Sequence, residues 1–161
     1  MHAQGFKPVR GFTLIELLVV MAIAAVLLAV ALPSLQPQVA ASNAKSTAAK
    51  LADALRFARQ YALNTSSLVT FTPSGCGYTV ATTSGTQLLS ASSGASSGVS
   101  CQALSQTVSF LGDGSVALCT QGAQGLSCSA AGSNSTATVS GGGSTWQIVL
   151  SPGGVVTTSG S

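Results

Sequence analysis

An apolar run near the start of the chain, residues 12–32, contains a single ionisable side chain, Glu16. A helix of about 20 apolar residues is long enough to cross the hydrocarbon core of a bilayer. Lys7 and Arg10 precede this run, and positive charges in such a position stay on the cytoplasmic side. The run therefore predicts one membrane-spanning helix, with the chain beyond Leu32 on the opposite side of the membrane.

Glu16 does not suit the two ordinary interpretations of such a run. One is a secretory signal peptide with a cleavage site at the A-V-A of residues 29–31, and the other is a simple membrane anchor. A carboxylate within an apolar helix costs free energy in lipid, and neither interpretation has a use for it. We therefore take Glu16 as the first candidate functional residue.

The sequence around Glu16, GFTLIE at residues 11–16 followed by LLVV, resembles the N-terminal signal of type IV pilins and pseudopilins. The resemblance implies that a prepilin peptidase cleaves between Gly11 and Phe12 and that Phe12 is then N-methylated. It also implies that the helix is retained, first as a membrane anchor and then as the core of a filament. In that core the Glu16 carboxylate would need a partner to offset its desolvation, such as the N-terminal ammonium of a neighbouring subunit.

The next segment, residues 33–63, predicts an amphipathic continuation of the helix. Pro33 and Pro37 lack a backbone donor, so we expect a kink or local unwinding at about 32–38. Beyond them, apolar residues at helical spacing form a stripe that should lie on a sheet: Leu51, Ala54, Leu55, Ala58 and Ala62. The charged residues lie mostly off this stripe and predict a solvated helix face: Lys45, Lys50, Asp53, Arg56 and Arg59.

The C-terminal segment, residues 64–161, alternates short β-prone runs with Ser/Gly/Thr turns. The predicted strands are 68–72, 78–83, 87–90, 107–111, 115–118, 137–140, 145–150 and 155–158. Asp113-Gly114 predicts a hairpin turn, and the low-complexity stretches 90–100 and 132–143 are expected to be mobile loops. The predicted fold class is α+β: a long N-terminal helix whose C-terminal half packs on an antiparallel sheet or a small two-sheet sandwich.

Three later stretches resemble the GspH/FimT branch of the pilin-like proteins: residues 51–62, 108–114 and 146–156. Together with the N-terminal signal they imply four segments. These are a leader peptide at 1–11, a transmembrane or filament-core helix at 12–32, its amphipathic continuation at 33–63, and a periplasmic or extracellular β domain at 64–161.

The four cysteines, Cys76, Cys101, Cys119 and Cys128, all lie beyond the apolar run, where disulfides persist. Their spacing fits no C-x-x-C zinc or redox pattern, which disfavours reactive or metal-bound thiols. Three pairings are possible. We favour Cys76–Cys101 with Cys119–Cys128, because each bridge would then staple one flexible loop.

Charge is scarce and uneven. The chain carries six Lys/Arg, three Asp/Glu and one His, and beyond Arg59 the only charged side chain is Asp113. So few acid–base groups argue against an enzyme, and neither a metal nor a cofactor is expected. A basic stripe on the β domain, typical of nucleic-acid modules, is missing.

The resemblance therefore implies a structural minor pilin or pseudopilin of a type II secretion system or a type IV pilus. Its expected partners are other pilins, the inner-membrane assembly platform and prepilin peptidase. Its expected location is the bacterial inner membrane and then the filament, with the N-terminus cytoplasmic and the β domain periplasmic. The alternative is a DNA-binding minor pilin for natural transformation. Some FimT members use a Gly-Arg-x-Arg motif for this, but the aligned residues here, 153–156, are Gly-Gly-Val-Val.

Overall fold

The computed structural model of the chain describes residues 12–92, 98–104, 106–122 and 125–161. The predicted leader 1–11, including Gly11, lies outside these residues. The chain forms two compact units, one ending at Gln36 and the other covering Pro37–Ser161. The α-helix α1 (Leu14–Thr65) begins in the first unit and ends in the second.

Helix α1 continues without a break through Pro33 and Pro37, so the local unwinding expected at about 32–38 does not occur. Each proline removes only its own N–H donor, and the bonds made by the intervening residues keep the backbone helical. A kink at these prolines stays a prediction.

In the part of the chain that the structure describes, ten strands follow the helix and form two antiparallel sheets. The strands are β1 (Val69–Ser74), β2 (Gly77–Thr82), β3 (Gln87–Ala91), β4 (Val99–Gln102), β5 (Thr107–Phe110), β6 (Val116–Gly122), β7 (Gly125–Ala130), β8 (Ser135–Gly141), β9 (Ser144–Leu150) and β10 (Val156–Gly160). The first sheet has the order β3-β2-β1-β5-β6-β7 and the second the order β10-β9-β8-β4. The α+β fold class is thereby confirmed.

Two strands and one loop differ from the expectation. Strands β4 and β7 are not among the predicted strands. The expected mobile loop 132–143 contains all of β8, which includes the predicted strand 137–140 and is longer than it. Strand β8 pairs with β9 over its whole length and with β4 on its other side, so backbone hydrogen bonding from two neighbours outweighs its weak Ser/Thr/Gly propensity. In the other expected loop, 90–100, strand β4 begins at Val99, and residues 93–97 lie outside the described part of the chain.

The core of the Pro37–Ser161 unit lies between α1 and both sheets. Every residue of the predicted apolar stripe is buried, and alanines at other buried positions leave little side-chain bulk on this face. Apart from Leu51 and Leu55 of the helix, the larger buried side chains come from the sheets: Phe71, Val80, Val108, Phe110, Val139, Ile148 and Leu150. The stripe therefore positions the second half of α1 as predicted.

Candidate functional site

The first unit presents an apolar surface on every side of its helix. Phe12 is 89% exposed, and the other large apolar side chains of this unit that the structure describes are between 51% and 80% exposed: Leu14, Ile15, Leu17, Leu18, Val19, Val20, Met21, Ile23, Val26, Leu27, Leu28 and Leu35. A helix that is apolar all round is typical of a segment that is buried in a membrane or among other helices. Within the described residues, no helix meets the length and hydropathy of a membrane span.

Glu16 lies in the first turn of this helix and forms a capping box with Thr13. The Thr13 backbone amide and its Oγ1 both donate to Glu16 Oε2, each at 2.9 Å. In return the Glu16 backbone amide donates to Thr13 Oγ1 at 3.3 Å. These bonds satisfy amides that the start of a helix leaves unpaired, and the carboxylate also suits the positive end of the helix dipole.

The sequence interpretation missed this local role of Glu16. Its signal is present, since Thr13 and Glu16 have the S/T-x-x-E spacing directly before an apolar run. Both hydrogen bonds reach Oε2, so Oε1 has no protein partner among the described residues. The carboxylate can therefore hold the helix start and still accept a bond from outside the chain.

The favoured cysteine pairing is present, but the bridges do more than staple loops. Cys76, in the turn between β1 and β2, is joined to Cys101 of β4, with a Cα–Cα distance of 5.1 Å. This bridge links the two sheets. Cys119 and Cys128 are directly opposite each other on β6 and β7, with a Cα–Cα distance of 4.1 Å, so their bridge ties paired strands together.

Both arginines of α1 contact the β domain, which corrects the expectation of a purely solvated charged face. The half-buried Arg59 donates from Nε to the Gly114 carbonyl at 3.3 Å and from Nη2 to the Gly153 carbonyl at 3.1 Å. Arg56 donates from Nη2 to the Val156 carbonyl at 3.3 Å. Sequence spacing could not have found these contacts, because they join residues at least 55 positions apart.

Two further charged residues of α1, Asp53 and Lys45, also have partners. Arg56 Nη1 forms an exposed ion pair with Asp53 Oδ1 at 2.9 Å. The Lys45 ammonium lies 5.6 Å from the centre of the Trp146 ring on β9, within the range of a cation–π contact.

The predicted turn at Asp113-Gly114 connects β5 to β6. Asp113 Oδ1 accepts hydrogen bonds from the Ser115 backbone amide at 2.8 Å and from its Oγ at 2.6 Å. These two bonds favour the ionised carboxylate, the side-chain bond most strongly, and lower the pKa of Asp113. Gly114 has a φ of +80°, a conformation that suits glycine.

Elsewhere in the described residues, no cluster of three or more His, Cys, Asp or Glu side chains has a metal-binding arrangement. One polar side chain of this part of the chain is fully buried, Ser109, and its Oγ lies 3.0 Å from Sγ of the disulfide-bonded Cys119. This contact is structural, since Sγ of Cys119 is already committed to its bridge.

Two protein-family models match the chain. Residues 6–32 match the model described as the prokaryotic N-terminal methylation motif, which spans the exposed apolar helix and Glu16. Residues 47–154 match the model described as type II transport protein GspH, which covers the C-terminal part of α1 and most of both sheets. No curated protein and no solved structure matches the chain.

Proposed function

This chain belongs to the GspH family of type II transport proteins, and on that premise we propose that it is a minor pseudopilin that prepilin peptidase processes and that assembles into a filament. The filament is a type II secretion pseudopilus or a related type IV pilus. The protein acts mechanically, with no chemistry of its own: its N-terminal helix leaves the membrane for the filament core, and its β domain is presented outside.

The observation that carries this proposal is the first unit of the helix, which is apolar on every side and has one carboxylate in its first turn. Such a surface is removed from water when it is buried in lipid or among equally apolar helices. Among helices, an unpaired Glu16 carboxylate would be costly, so the stagger that brings it a cation is favoured over all others. We infer that Glu16 sets the axial register of the subunit.

The proposal includes the four segments and their topology. Residues 1–11 form the leader, 12–32 the membrane and filament-core helix, 33–63 its amphipathic continuation and 64–161 the β domain. The chain enters the inner membrane with its N-terminus cytoplasmic and its β domain periplasmic. Its partners are other pseudopilins, the assembly platform and prepilin peptidase.

Replacement of Glu16 by alanine tests the assembly role. We expect Glu16→Ala to enter the membrane at least as well as the natural chain, since a charge is removed from an apolar helix. Its amount in sheared and sedimented filaments should fall, because the partner that sets the register is lost. Immunoblots of membrane and filament fractions measure both quantities.

The matched control is Thr13→Val, which removes the Thr13 hydroxyl from the cap but keeps the carboxylate. It should assemble better than Glu16→Ala if charge pairing, and not helix capping, is the requirement. Filaments that contain Glu16→Ala at the level of the natural chain would contradict the proposed role of Glu16.

A further inference from the structure

A groove of about 340 Å³ lies between the end of α1 and the turn that joins β9 to β10. It is lined by Arg56, Arg59 and Gln60 of the helix and by Gly154, Val155 and Val156 of the turn and β10. We propose that this groove binds an Asp or Glu carboxylate of a neighbouring pseudopilin subunit. The proposal rests on the proposed function and names one contact by which the β domain joins the filament.

The two arginines are fixed in the groove by backbone carbonyls. Arg59 is bound to Gly114 and Gly153, and Arg56 to Val156 and, through Nη1, to the Asp53 carboxylate, by the contacts given above. A guanidinium has five N–H donors, and these bonds use only some of them. Both side chains can therefore bind a further acceptor without first losing their conformational freedom, which lowers the cost of binding.

Gly154 makes room for this arrangement. It has a φ of +77°, and a Cβ built on it would lie 2.6 Å from Arg59 Nε and would also meet the Gly114 carbonyl. Any other residue would therefore displace the Arg59 guanidinium. The Gly153 carbonyl of this turn accepts a hydrogen bond from Arg59, and the groove lies beside the same guanidinium.

The distribution of charge makes this groove distinctive. Beyond Arg59, Asp113 is the only charged residue of the chain, and its carboxylate is bonded to Ser115. The strands thus contribute no cation to the surface. The two arginines of α1 do, and because Arg56 is already paired with Asp53, the net positive charge at the turn comes from Arg59. A partner carboxylate is the ligand that this arrangement fits, because a guanidinium binds it in a planar, bidentate manner.

A nucleic acid fits the groove less well than a carboxylate. Its affinity depends on neutralising many phosphates with Lys or Arg. The other cations of this unit, Lys45 and Lys50, lie two to four turns of helix before the groove, and the strands add none. A single carboxylate needs no such extended cationic surface.

Site-specific photo-crosslinking of the full chain in filament-forming cells tests the proposal. A benzophenone amino acid replaces Gln60, which is exposed and lines the groove, or Lys50, which is exposed on the same helix outside it. We expect the probe at Gln60 to crosslink to another pseudopilin, through a peptide that contains Asp or Glu. Arg56→Ala should lower the crosslink yield about tenfold, as loss of a charge-assisted hydrogen bond implies, whereas Lys45→Ala should not.

Filament fractions measured in parallel separate the two proposals. Three outcomes would overturn the groove proposal and leave the proposed function intact. The Gln60 probe could enter filaments without forming a crosslink, the crosslink could be unchanged by Arg56→Ala, or the crosslinked partner could be a nucleic acid. If the probe blocks incorporation at Gln60 but not at Lys50, the groove is a filament contact. If the probe blocks incorporation equally at both positions, a groove-specific contact is contradicted.

Discussion

The bridge between Cys76 and Cys101 should supply a large part of the stability of the Pro37–Ser161 unit. It joins the β1–β2 turn to β4, and so it holds the two sheets together where strand pairing does not. The sequence separation is 25 residues. In the chain-entropy model, closing a loop of this length stabilises the folded state by about 3.5 kcal/mol at 25 °C.

Urea unfolding of the full chain in a mild detergent, followed by circular dichroism of the β-sheet signal, measures this contribution. With a slope of about 2 kcal/mol per molar urea, Cys76→Ala/Cys101→Ala should lower the unfolding midpoint by about 1.7 M. The single variants Cys76→Ala and Cys101→Ala are internal controls and should match the double variant, because either one removes the whole bridge. A midpoint within about 0.3 M of that of the natural chain would refute the reasoning.

Three further predictions concern charged residues. Arg59→Ala should lower the free energy of unfolding by about 2 kcal/mol, since it leaves the Gly114 and Gly153 carbonyls without their charged donor; Lys50→Ala, measured by the same urea titration, should change it by less than about 0.5 kcal/mol. The pKa of Asp113 is lower in the folded state than its ordinary value of 3.8, so the ionised carboxylate stabilises the fold above pH 3.8 and this stabilisation is lost as the pH falls through the folded-state pKa. Asp113→Asn should therefore lose less stability on acidification than the natural chain, as measured by urea titrations between neutral and acidic pH. In a fluorescence titration at ~0.15 M salt, the protein should bind duplex DNA with a dissociation constant of about 10⁻⁴ M or weaker. Low-micromolar, salt-sensitive binding would contradict this.

The parts of the fold that could be predicted from the sequence are those that depend on local spacing. The stripe from Leu51 to Ala62 follows helical periodicity, and its burial follows from that period. The turn at Asp113-Gly114 depends on one dipeptide, and the disulfide pairing could be predicted because each bridge joins cysteines that are neighbours along the chain. Strands β4 and β7 could not be predicted in this way, because their extended conformation depends on pairing, of β4 with β8 and of β7 with β6.

The two candidate sites differ in the same respect. Glu16 was identified from the chemistry of a carboxylate in an apolar run, and its bond to Thr13 could have been predicted from their spacing. The groove at Arg56 and Arg59 could not be identified, because its second wall comes from the β9–β10 turn, which is distant in sequence. Tertiary packing alone brings those carbonyls to the guanidinium groups.

The most direct test of the account is the covalent structure of the N-terminus in the mature protein. Gly11 has no side chain to obstruct a peptidase at the Gly11–Phe12 bond, and Phe12 lies just before the exposed apolar helix that the filament would bury. Intact-mass and N-terminal peptide analysis of protein from sheared filaments should find a chain that begins at N-methylated Phe12 and lacks residues 1–11. A mature chain that begins at Leu32, or one that keeps its leader in the filament fraction, would contradict the account.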